Sequence, residues 1–121
     1  MNELINLAGV PLSLNSLYIL KWKDEHGKEQ RLQLVEKVSC KWLEFGLAVG
    51  MEMDRLEAWG RQYREDGSSR CLLEVMKRWL NAGGCGDYPA TWEGLYQLLM
   101  DVGYKKVAKE LRTALASPPH L

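Results

Sequence analysis

The stretch YPATWEGLYQLLMDVGYKKVAKEL, residues 88–111, holds two amphipathic helical segments with almost nothing between them. Neither is long enough to stand alone, since isolated helices below roughly 12–15 residues are marginal in water. Such a chain must fold as several short helices sharing one core, each contributing a narrow apolar stripe. Its 121 residues suffice for one domain of this kind, able to bury about 65–70% of the surface of the unfolded chain.

The same pattern runs back to residue 30. In RLQLVEKVSCKWLEFGLAVGM, Leu34, Val35, Val38, Trp42, Phe45 and Val49 recur at spacings of one, three, four, three and four. That is one face of a helix, or of two helices broken near Ser39–Lys41. MEMDRLEAWGRQY repeats it with Leu56, Trp59 and Tyr63. REDGSS is a turn cluster that predicts Ser68 or Ser69 as the N-cap of the next helix. That helix sets Leu72, Val75, Met76, Trp79 and Leu80 on one face and Arg70, Glu74, Lys77, Arg78 and Asn81 on the other.

NAGGCGDYPA reads as a loop, because three glycines and a proline leave no room for a helix. Thr91 then caps a helix that turns Trp92, Leu95 and Leu99 inward, with Glu93 against its positive end. Gly103 ends it. The last helix buries Val107, Ala108, Leu111 and Leu115 and stops before Pro118–Pro119, so residues 117–121 are expected to be a frayed tail.

Residues 1–28 read as an extension ahead of a domain over 29–116. LYILKW and EQRLQLV flank the polar segment KDEHGK, which suits a short hairpin, although a helix over Leu14–Trp22 fits the pattern about as well.

Charge and cysteine usage exclude several functions. Sixteen Lys and Arg balance sixteen Asp and Glu, so the whole chain is not a polycation built for nucleic acid or acidic lipid. No apolar run is long enough to span a membrane. Glu3, the lack of Lys or Arg before Lys21, and Pro11 within the apolar run do not make a signal peptide. Cys40, Cys71 and Cys85 form an odd set without CxxC spacing, which suits reduced, buried thiols in a cytoplasmic protein.

The cysteines stand 31 and 14 residues apart, unlike a metal site. His26 lies in a polar turn and His120 in the tail, neither spaced to form a catalytic dyad. AGGCG lacks the Lys-Ser/Thr of a phosphate cradle. No enzymatic activity, cofactor or small-molecule substrate is expected. Trp42, Trp59, Trp79 and Trp92 fall on inward faces and read as core, while Trp22, outside the bundle, is assigned no position by the pattern.

Trp42 with Phe45-Gly46 and Val49-Gly50, the pair Met53 and Leu56, Cys71-Leu72 with Trp79-Leu80, and finally ATWEGLYQLLMDVGYKKVAKELRTAL follow one another over residues 30–116. This ordered set resembles a death domain, the six-helix antiparallel Greek-key bundle of the death-fold superfamily. The extension and the apolar Leu43 and Leu47 depart from the family pattern. Leu43 and Leu47, four residues apart beside the Trp42 stripe, read as a dock for the extension or as a partner-binding patch.

The resemblance implies a homotypic interaction module, an adaptor or scaffold that binds itself or other death domains in head-to-tail, even filamentous, signalling assemblies. It implies three contact types. In one, the first and fourth helices meet a neighbour's second and third. In another, the end of the fourth helix and its following loop meet the loop before the sixth helix. In the last, the third helix meets nearby loops. Carried onto this chain, the first would set Glu44, Glu52 and Asp54 against Arg70, Lys77 and Arg78, with Glu74 on the same helix. The second would use Asp87, Tyr88, Tyr104, Lys105 and Lys106, and the third Arg55, Arg61 and Gln62.

The local charge agrees with that scheme. Residues 42–57 hold four acids and one base, net −3; residues 70–81 hold three bases and one acid, net +2; residues 104–116 hold four bases and one acid, net +3. Matching of this kind steers orientation and rate and weakens with salt. Two rivals stand beside it: a small helical nucleic-acid binder using Lys105, Lys106, Lys109 and Arg112, and a monomeric death-fold domain with an unrelated partner.

Overall fold

The computed structural model describes residues 12–116. The predicted frayed tail over 117–121 and the first eleven residues lie outside them. The chain is mostly helical, with two small antiparallel sheets.

It opens with a one-turn helix α1 (Leu14–Tyr18), capped by Ser13, whose hydroxyl accepts from the Ser16 amide. A hairpin of β1 (Leu20–Lys23) and β2 (Glu29–Leu32) follows, pairing Leu20 with Leu32 and Trp22 with Gln30. Asp24 ties its turn, accepting from the amides of His26 and Lys28 and from the Gln30 side chain, each at 2.9 Å. These bonds, led by that from Lys28, hold the Asp24 carboxyl below the usual carboxylate range. The hairpin reading of the extension is therefore realised, whereas the alternative helix over Leu14–Trp22 is cut to one turn ending at Tyr18, because Leu20–Trp22 pair with β2. Trp22 lies on the Leu20 face and packs at the edge of the core.

The long stripe after residue 30 breaks at the predicted place. Helix α2 (Leu34–Val38) passes through a 3-10 turn at Ser39–Lys41 into α3 (Trp42–Ala48). Helices α4 (Met53–Gln62) and α5 (Ser68–Asn81) follow. The cap expected of Ser68 or Ser69 belongs instead to Gly67, at φ 88°, a backbone state that favours glycine. Ser68 is already helical, and its hydroxyl donates to the Ser39 hydroxyl at 3.4 Å.

The glycine-rich loop carries a two-residue ladder, β3 (Gly84–Cys85) with β4 (Tyr88–Pro89). Thr91 caps α6 (Trp92–Val102) as predicted, accepting from the Gly94 amide at 3.0 Å. Gly103, at φ 109°, ends it in the left-handed cap. Helix α7 (Lys105–Ala116) closes the described chain.

One core runs through all of these helices. Leu17 of α1 and Leu20 and Leu32 of the hairpin join Phe45, Leu56, Leu72, Val75, Leu98, Leu99 and Leu111 in it. α1 packs chiefly against α2 and α5, and α3 against α5 and α6. Trp79 and Trp92 are buried as expected, but Trp42 and Trp59 are only half-buried at the edge of the core. Leu115 is half-buried too, because Ala114 takes the inward position at that turn of α7.

Candidate interaction surfaces

The α5 surface is where the predicted cations meet partners of their own chain. Arg70 and Lys77 both reach the Glu74 carboxylate, at 3.2 and 3.6 Å. The arginine also lies over the Tyr63 ring, 4.5 Å from its centre. The Glu74 carboxylate holds the Arg70 guanidinium above its ordinary pKa. Arg78 lies 5.7 Å over Trp59. Exposed pairs of this kind orient these side chains more than they stabilise the fold.

The acidic partners are spread along α3 and α4. Glu52 stands in the N-cap position of α4 without making a side-chain cap, and Asp54 and Arg55 follow in the first turn. Arg61 and Gln62 are exposed at the other end of the helix. Glu44 is set apart from these, in the first turn of α3.

Glu44 faces a shallow open groove, which it lines together with Leu47 and Ala48 of α3, Asp101 and Val102 of α6, and Tyr88. Leu47 is 43% exposed there. The described part of the extension docks on α2 and α5 instead, so Leu47 is not its covered seat. Asp101 is fully engaged, accepting from the Tyr88 hydroxyl at 2.6 Å and from the Gln97 amide at 2.9 Å. The bond to Asp101 pushes the Tyr88 phenol up to about 12. The Tyr88 carbonyl in turn accepts from the Trp79 indole at 2.8 Å. Asp87 is exposed in the turn just before.

Tyr104 is used inside the molecule. Its ring stacks on Phe45 at 6.0 Å, its hydroxyl lies 3.0 Å from the Cys40 thiol, and Lys41 sits 5.5 Å from its ring centre. Burial, then the Cys40 contact, pushes its phenol up to about 12. Lys105 and Lys106 beside it are exposed and open α7.

The cysteines divide. Cys71 is buried, its thiol raised by that burial, whereas Cys40 is exposed on the 3-10 turn and Cys85 is half-buried. The expectation of three buried thiols therefore holds only for Cys71. Among the described residues no group of His, Cys, Asp and Glu is placed to hold a metal, and no helix is long and apolar enough to cross a membrane.

Of the predicted residues, the structure thus joins Arg70, Glu74 and Lys77 in one cluster and Glu44 with Tyr88 on one groove. Asp101, Trp59 and Tyr63 were not singled out by the sequence as surface-forming. Only the Gln97–Asp101 spacing, four apart on one helix, carried a local signal. Comparisons with protein-family models, with curated proteins and with solved structures find no match for this chain.

Proposed function

We propose that residues 29–116 form a death-domain bundle that acts as a homotypic interaction module. The observation that carries this reading is where the residues of the resemblance sit. Gly46 lies directly against Leu56, joining α3 to α4. Trp79 ties α5 to the loop that follows through the Tyr88 carbonyl, and Thr91 and Gly103 bound α6. These are the junctions of six successive helices, α2 to α7, in which the motif residues hold neighbours together. An antiparallel Greek-key order of those helices is part of the same proposal.

Segregated charge supports the functional half. The chain is neutral overall, yet α5 and α7 each carry an excess of bases, while Glu44 of α3 and Glu52 and Asp54 at the start of α4 present acids, a distribution suited to head-to-tail contact between copies or with a related domain. The module binds its own kind in the cytoplasm and needs no cofactor. Arg78→Glu tests it. Arg78 is exposed over Trp59, so its reversal costs the fold about 1 kcal/mol or less. Assemblies should dissolve while helical circular dichroism is retained. Loss of that dichroism would make Arg78 a stability residue and contradict the reading.

A further inference from the structure

We propose that β2 pairs edge to edge with β2 of a second copy of this chain, antiparallel about a two-fold axis at Gln30, so that two hairpins join into one four-stranded sheet. This edge lies apart from the helix surfaces of the module above, and the pairing does not depend on them.

Outward-facing backbone groups carry it. The Asp24 amide donates to the Lys28 carbonyl at 3.0 Å, closing the hairpin's turn. Hydrogen-bonded and non-hydrogen-bonded pairs alternate along an antiparallel ladder. Counting back from that bond, Trp22–Gln30 and Leu20–Leu32 are the hydrogen-bonded pairs, and Lys23–Glu29 and Lys21–Arg31 are not. The amides and carbonyls of Glu29 and Arg31 therefore point away from β1. Among the described residues no third strand meets them, and both residues are exposed. Such an edge is a ready template for another strand.

Charge selects the strand. Glu29 and Arg31 share the solvent face of β2, their side chains 3.8 Å apart. Across the ladder Arg31 stands opposite Lys21, and like charges directly opposite destabilise a sheet. Antiparallel pairing centred on Gln30 sets each Arg31 against Glu29 of the second copy, twice over, and answers that repulsion. Other full overlaps do worse. Parallel β2 strands set Glu29 against Glu29 and Arg31 against Arg31. Two β1 strands set lysine against lysine, and β1 on β2 gives one attraction and one repulsion.

The same charges stop growth at two. The outer edges of the four-stranded sheet are the two β1 strands, which carry Lys21 and Lys23, and edge lysines discourage further pairing. A contact with this symmetry closes. A ladder of a few residues falls below the roughly 1,200 Å² of stable interfaces, so the pair is weak and forms at high protein concentration.

Sedimentation equilibrium at low salt and high protein concentration tests it in the Arg78→Glu chain, where the larger assemblies of the module are gone. That chain should run at about twice 13.9 kDa. Adding Arg31→Glu should return it to the monomer, and adding Glu29→Arg to both should restore the pair. An Arg78→Glu chain that is folded yet monomeric at every concentration overturns the proposal and leaves the homotypic reading standing. Wild-type assembly unchanged by Arg78→Glu but lost with Arg31→Glu does the reverse. Register is read separately, without Arg78→Glu, by air oxidation of a chain carrying Cys40→Ser and Cys85→Ser. The two copies of Gln30 face each other as a non-hydrogen-bonded pair, about 4.5 Å between Cα atoms, within disulfide reach. Gln30→Cys should give a covalent dimer, and Glu25→Cys in the exposed turn should not. No dimer from Gln30→Cys, or as much from Glu25→Cys, overturns the pairing.

Discussion

The Tyr88 hydroxyl donates to the Asp101 carboxylate at 2.6 Å, joining the loop after α5 to the last turn of α6. The bond favours the protonated phenol and lifts it from an ordinary 10.0 to about 12. An acid raised on folding holds its proton more tightly in the folded chain than in the unfolded one. Its stabilisation is therefore complete below pH 10 and drains as the pH climbs toward 12. Tyr88→Phe should cost about 1 kcal/mol at neutral pH and flatten part of this alkaline loss. Tyr104, raised in the same direction, retains the rest. Thermal melts of both proteins between neutral and strongly alkaline pH measure the difference; identical alkaline slopes would refute the assignment.

Leu17 lies outside the six-helix region, yet only 2% of it is exposed, among Leu34, Val38, Phe45 and Leu72. Leu17→Ala should therefore cost about 2–5 kcal/mol, as a full core truncation does. Urea unfolding followed by tryptophan fluorescence should show one transition at lower denaturant. A variant as stable as the wild type would mean that α1 is not part of the cooperative unit.

Gly46 permits the close approach of α3 to α4. A methyl group there collides with the terminal methyls of Leu56, a wholly buried side chain that must shift within the core to make room. Gly46→Ala should destabilise the fold by about 1–3 kcal/mol, despite alanine's higher helix propensity. Denaturant midpoints of the two proteins check the sign: a gain in stability would show that the contact relaxes freely.

What could be read from the sequence was what local chemistry decides. Thr91 and Gly103 bound α6 because a hydroxyl cap and a left-handed stop act within a turn or so of themselves. The break near Ser39–Lys41 showed in the spacing and is present as a 3-10 turn. Ser68 misled because its neighbour Gly67 takes the cap through backbone freedom, leaving the hydroxyl for Ser39 on another element. Periodicity gave Trp42 and Trp59 an inward face but not its depth, which depends on what lies opposite.

The surfaces divide in the same way. The helical period placed Arg70 and Glu74 on one face of α5, though their ion pair was not read from the sequence. Tyr63 beneath Arg70, Trp59 beneath Arg78, and Asp101 against Tyr88 each join separate elements, and no spacing announces them. The groove at Leu47 was half-visible. The residue stood out as apolar where the family pattern is polar, but that α6 lines the same groove is decided by tertiary packing.

The claim on which the account turns is that this chain associates with its own kind through complementary charge. Light scattering across protein concentration, at low and at high salt, tests it most directly. At low salt the mass should rise with concentration above the 13.9 kDa of one chain, and high salt should return it toward that value as exposed charges are screened. A mass that stays at 13.9 kDa under every condition would contradict self-association through these surfaces.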